Sequence, residues 1–142
     1  MKSIVFECQT PGAPGQMSFT ADSAAGLIRV EVSGFWPTTQ TSEILACFTQ
    51  LVAAIHLQGK RAIIITDLRK AATQSQEVTS LLQHRTADIF RPGDRVAMMI
   101  ENSLLRLQMR RTLRPEHHEF FASISAAERW ALASSCSAPE TL

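Results

Sequence analysis

With 142 residues, 45% of them hydrophobic and 19% charged, the chain has the composition of one globular domain with a substantial core. A formal net charge of +1 supplies no global field for nucleic acid or a membrane surface, so an electrostatic partner must meet a local cluster. Cys8, Cys47 and Cys136 are widely spaced and fall in no CxxC or Cys/His pattern, which argues against a disulfide scaffold and a zinc site.

Met1-Lys2 leads straight into a strand pattern without a signal-peptide core, and no apolar run nears membrane-spanning length. The expectation is a cytoplasmic protein with no membrane span. Ile4, Phe6 and Cys8 alternate with Val5 and Glu7, a half-buried strand; turn chemistry over 10–15 leads to a short second strand at Met17 and Phe19. Another turn over 21–26 precedes Ile28, Val30 and Val32, which alternate with Arg29 and Glu31 and give a strand with one wet face. The opening third reads as an antiparallel meander that ends at Gly34-Phe35-Trp36-Pro37.

The period then changes. Thr39 or Thr41 can cap a helix over 41–57 with Glu43 in its first turn; Ile44, Phe48, Leu51 and Ile55 make its apolar stripe, and Gly59 stops it. The run 62–65 is apolar, rich in β-branched residues and too short for a helix, so 61–67 reads as a strand buried on both faces. A second helix is expected over 75–90, opened by a capping box in Thr73-Gln74-Ser75-Gln76 and broken by Pro92-Gly93-Asp94. Val96 to Ile100 is another buried strand, 103–114 another helix, 118–122 a short last strand, and Ser125-Ala126-Ala127-Glu128 opens a final helix. Residues 1–133 form one α/β domain: an N-terminal hairpin, then four βα units in a mixed, mostly parallel sheet with helices on its faces. Residues 134–142 are expected to fray.

No GxSxG, P-loop, GxGxxG or HExxH occurs, and the histidines, cysteines and carboxylates form no catalytic spacing, so no catalytic residue, metal or cofactor is expected. The candidate site is the rim at the C-terminal ends of the parallel strands, a crevice bounded by Phe35, Trp36, Asp67, Arg69, Asn102 and Ser103. Asp67 and Arg69 either contact a ligand or brace their own loop. Phe35 and Trp36 either anchor a partner or pack over the end of the core. Arg106, Arg110 and Arg114 share a helical stripe with Arg111 alongside, either a surface for an anion or acidic partner or a solvated face. The interleaved aromatics of a nucleic-acid surface are absent. Leu104 and Leu107 flank that stripe away from Leu105, Met109 and Leu113, which makes a homodimer a further expectation.

The βα order, with Val32-Ser33-Gly34-Phe35-Trp36, Thr66-Asp67-Leu68-Arg69, Arg95-Val96-Ala97, Gln108-Met109-Arg110-Arg111 and Phe120-Phe121 followed by Ala127-Glu128-Arg129-Trp130, resembles the SpoIIAA-like superfamily over about 3–133. More narrowly, it is similar to small stand-alone bacterial proteins of the STAS/SEC14 type. The resemblance implies a binding or regulatory role, since the anti-sigma-factor antagonists bind a protein kinase and are switched by serine phosphorylation. It implies Ser75 as the counterpart of their phosphoserine, eight residues after Asp67. Here Gln74-Ser75-Gln76-Glu77 stands where those relatives carry an Asp-Ser-Ser-Gly type signature, and a plain helix cap is the other reading of Ser75. The lipid-carrying Sec14 type is larger, and 142 residues leave little chain for a closed lipid cavity. The functional expectation is a non-enzymatic interaction or regulatory module with an unidentified protein partner. The alternative is a small-ligand protein, for an apolar or anionic molecule, that uses the strand-end crevice; an enzyme with residues converging on that rim is a third.

Overall fold

The computed structural model describes residues 3–8, 15–22 and 24–133, with 3–8 and 15–17 as backbone alone. Turn residues 10–14 and the tail 134–142 lie outside them. Ten elements follow in order: β1 (Ser3–Cys8), β2 (Gly15–Asp22), β3 (Leu27–Gly34), α1 (Thr38–Leu57), β4 (Ile63–Ala71), α2 (Gln76–Thr86), β5 (Arg95–Met99), α3 (Ser103–Thr112), β6 (His118–Phe121) and α4 (Ile124–Ala131). Six strands make one sheet in sequence order, with β1, β2 and β3 antiparallel and β3 to β6 parallel. The hairpin and four βα units stand as the alternation and the two apolar runs predict, and β4 and β5 are interior.

Strand alternation divides the side chains between two layers. Ile28, Val30, Val32, Ile64, Leu68, Val96 and Met98 face α1, α2 and α3 in the larger core, with Ile44, Phe48, Val52, Ile55, Val78, Leu105 and Met109. Ile63, Ile65, Ala97 and Met99 face α4, which meets them with Ala127 and Ala131. Successive parallel strands are laid down in one direction, so crossovers of one hand keep three helices on the same face. Among the described residues, only α4 covers the other. Its small alanines bring it close to β4 and β5, while the large side chains under the other helices hold them farther off.

Several local starts and stops differ from the sequence reading. The first helix begins at Thr38 with Pro37 as its cap residue; Thr41 Oγ donates back to Pro37 O, and Glu43 lies beyond the first turn. Pro37 wins because its fixed φ suits a helix entry. Gly59, at φ +75°, follows α1 as expected. The second helix stops at Thr86, and Ile89 and Phe90 reach the core from the turn beyond it. Ser123, and not Ser125, caps α4, accepting from Ala126 N–H.

Candidate functional site

At the strand-end rim, β4 continues to Ala71, so Asp67 and Arg69 lie within the strand and not past it. A register shift against β3 between Glu31 and Ser33 lets the strand run on. Asp67 is bonded to Arg69 three times: Oδ1 accepts from the backbone N–H at 3.1 Å and from Nε at 3.0 Å, and Oδ2 accepts from Nη2 at 2.9 Å. The Arg69 hydrogen bonds hold the Asp67 carboxyl below the usual carboxylate range. Asp67 faces the α4 side, opposite to Thr66 and Leu68. Trp36 is buried at 6% exposure in the larger core on the other side, while Phe35 is 43% exposed. The sheet therefore stands between Trp36 and Asp67, and the two do not line one crevice. The physical reason is topological: a strand order that never reverses has no switch point at which flanking helices diverge.

The remaining rim residues serve the backbone. Asn102 caps α3, accepting from Leu104 and Leu105 N–H, and Ser103 is exposed in the helix's first turn. Ser75 Oγ caps α2, accepting from Val78 N–H at 3.1 Å. The organiser of this rim is Gln74. Its Oε1 accepts from Trp36 N–H at 2.9 Å, and its Nε2 donates to Gly34 O and Ala72 O. Gln108 from α3 then clasps the Gln74 backbone, accepting from its N–H at 2.8 Å and donating to its O at 2.7 Å. No local pattern marks a glutamine for such a role, because all its partners but Ala72 lie 34 and more residues away.

The expected arginine stripe does not hold: α3 stops at Thr112, so Arg114 lies past the helix, and the arginines part company. Arg106 turns back to donate to Ile100 O, and its buried Nε has no hydrogen-bond partner among the described residues. Arg110 lies over the Phe120 ring at 5.1 Å. Arg114 faces Glu116 at 3.8 Å, and Arg111 is exposed. On the α2 side, Leu104, Leu107, Gln108 and Arg111 recur at i, i+3, i+4 and i+7 and form one wall of a groove whose other wall is Thr73, Gln76 and Thr79. Leu104 and Leu107 are 68% and 47% exposed.

Beneath α2 lies a cavity of about 90 Å³ between the sheet and the helices, lined by Phe19, Trp36, Phe48, Leu82, Met98 and His118 among others. From α2 it is lined by Leu82 and Thr86, both only partly buried. His118 is held neutral: burial pushes its pKa down to about 4, partly offset by its Nδ1–H donating to Arg114 O at 2.8 Å. Trp36 Nε1 has no acceptor among the described residues.

At the opposite end of the sheet, buried Asp94 gathers three donors. Oδ2 takes His56 Nε2 at 2.7 Å and Arg91 N–H at 2.7 Å, and Oδ1 takes Ala62 N–H at 2.8 Å. Asp94 belongs to a Pro-Gly-Asp turn, whose aspartate commonly bonds nearby backbone, so that part was open to sequence reasoning. His56, 38 residues away, was not. Among the described residues, no group of three His, Cys, Asp or Glu side chains could hold a metal ion, and no helix is long and apolar enough to cross a membrane.

No protein-family model matches the chain, and no curated protein matches it in sequence. Among solved structures it is similar to an anti-sigma factor antagonist from Mycobacterium paratuberculosis, with a TM-score of 0.52 and 11% identity over 92% of this chain and 95% of that one. It is also similar to a protein of the DUF3478 family with a SpoIIAA-like fold from Shewanella loihica PV-4, with a TM-score of 0.53 and 14% identity over 91% of this chain and 93% of that one. Likeness at such identity carries architecture and no activity. With its hairpin, parallel strands and four helices in that order, the chain has the SpoIIAA-like fold.

Proposed function

We propose that the chain is a non-enzymatic interaction or regulatory module of the STAS-like type, working through its helix surface. The observation that carries this reading is the pair Leu104 and Leu107, large apolar side chains 68% and 47% exposed in the α2/α3 groove. The rim's polar groups support it, because Asp67, Gln74 and Asn102 are bonded within the fold. The test is affinity capture from the native host, with wild type and Leu104→Ser/Leu107→Ser as baits. The double variant keeps its fold, since surface changes of this kind move stability by about 0.5 kcal/mol or less. At least one protein should be enriched on wild type and lost on the variant; equal capture on both baits counts against the reading.

The cavity beneath α2 favours a second reading, a small apolar ligand. At about 90 Å³ it is smaller than the roughly 150 Å³ engineered cavity that takes up benzene, so a larger guest needs α2 to shift. Thermal melts with a series of short alcohols and benzene check it. A rise in Tm that Leu82→Phe, at the cavity wall, abolishes supports a ligand site, and a flat series removes it.

A further inference from the structure

We infer that the α2/α3 groove docks an acidic, amphipathic segment of a protein partner, with its apolar residues on Leu104 and Leu107 and its carboxylates on Arg111; this rests on the interaction-module reading. The first ground is the double use of α3. Leu105 and Met109 bury one face in the core, while Leu104, Leu107, Gln108 and Arg111 present a second helical stripe to the groove. The second is charge. The α3 sequence SLLRLQMRRT contains three arginines and no acid. Among the described residues neither Arg110 nor Arg111 has a carboxylate within ion-pair distance, and Arg110 has only the face of Phe120. The groove runs on past Arg111 and Thr112 into a cleft bordered by Arg110, Arg114 and His84, with Asp88 the one carboxylate on its wall. Arg111 at the end of a groove that also carries Leu104 and Leu107 selects a partner that pairs apolar with acidic groups.

Shape and charge weigh against other occupants. The leucines lie in a concave cleft of about 470 Å³ beside Thr73, Gln76, Thr79 and Gln108, whose hydroxyls and amides suit peptide groups better than acyl chains. A second copy would bring the same acid-free, arginine-bearing helix to the groove, which adds positive charge and offers no carboxylate from α3.

The experiment pans a phage-displayed library of linear peptides on the immobilised full chain and maps the selected peptides by amide NMR shifts. Expected are peptides rich in Asp and Glu with apolar residues at helical spacing. They should shift residues 104, 107, 108 and 111 and bind about tenfold more weakly to Arg111→Glu. Peptides without acidic bias, or bound elsewhere, overturn this inference and leave the interaction-module reading standing. A library that yields no binder sinks both. Two parallel measurements complete it: sedimentation with phosphatidylserine vesicles, and sizing across concentrations. Vesicle binding, or self-association, that Leu104→Ser/Leu107→Ser abolishes overturns the peptide site in favour of a membrane or a second copy.

Discussion

His118 makes the sharpest statement at the scale of single residues. Its pKa is pushed down to about 4 by burial, against an ordinary value of 6.5. Between those values the unfolded chain takes up a proton that the folded one excludes, so stability rises with pH. Going down in pH, the loss starts near 6.5, runs at up to about 1.4 kcal/mol per unit, reaches roughly 3 kcal/mol at pH 4 and then levels off. Asp67 acts in a separate window. Its pKa is lowered from 3.8 by Arg69, so its contribution is present above that value and is lost only as pH falls through the lower folded one. Urea melts of wild type and His118→Asn between pH 4.5 and 7 check the assignment, since the asparagine amide can still donate to Arg114 O. Wild type should lose clearly more stability across the range; parallel losses would refute the role of His118.

At the scale of elements, helix starts decide which face each helix turns to the sheet. Ser75 caps α2 and fixes Val78, three residues on in the first turn, as the one fully buried side chain of the helix. Ser75→Ala should cost about 1 kcal/mol, within the usual range for a lost cap, and Ser75→Thr should restore most of it. A melt showing no loss would mean that water replaces the hydroxyl at Val78 N–H. The strands were legible because alternation and β-branched runs report burial directly, as in Ile28, Val30, Val32 and the run 62–65. The cap of α4 was not. Ser125 with Glu128 satisfies the capping pattern locally, yet Ser123 takes the position, and the earlier start sets Ala127 and Ala131 four residues apart against Ile63, Ile65, Ala97 and Met99. Nor was the far end of α4 legible. Arg95 of β5 donates to Trp130 O in the last turn, and Arg61, just before β4, donates to Ala133 O past the helix end, 35 and 72 residues away in sequence. Nor did periodicity show that Trp36 would join the larger core while Asp67, one register step along β4, faces the α4 side. Sequence periodicity carries strand identity but not strand order.

For the molecule as a whole, the layer arrangement sets where a charge is tolerated. Ile64 pairs in register with Ile28 on one side and Val96 on the other, at 1% exposure, beneath the three-helix layer. Ile64→Asp would place a carboxylate there with no cationic neighbour in the surrounding cluster of apolar side chains. Burying such a group unpaired costs several kcal/mol, against a total stability of about 5–15 kcal/mol for a domain. The other face of β3 is different. Arg29 is half exposed and meets Glu128 of α4 at 2.9 Å, an ion pair open to solvent. Arg29→Ala should therefore cost about 0–1 kcal/mol. Circular dichroism should find Arg29→Ala folded with a nearly unchanged melt and Ile64→Asp unfolded, or folded only with its carboxyl protonated at low pH. The contrast isolates the layers, because both residues lie on interior strands of one sheet, Ile64 sealed beneath three helices and Arg29 at the solvent-open margin of α4. If Ile64→Asp melted like wild type at neutral pH, the three-helix layer could not be packed on the sheet as described.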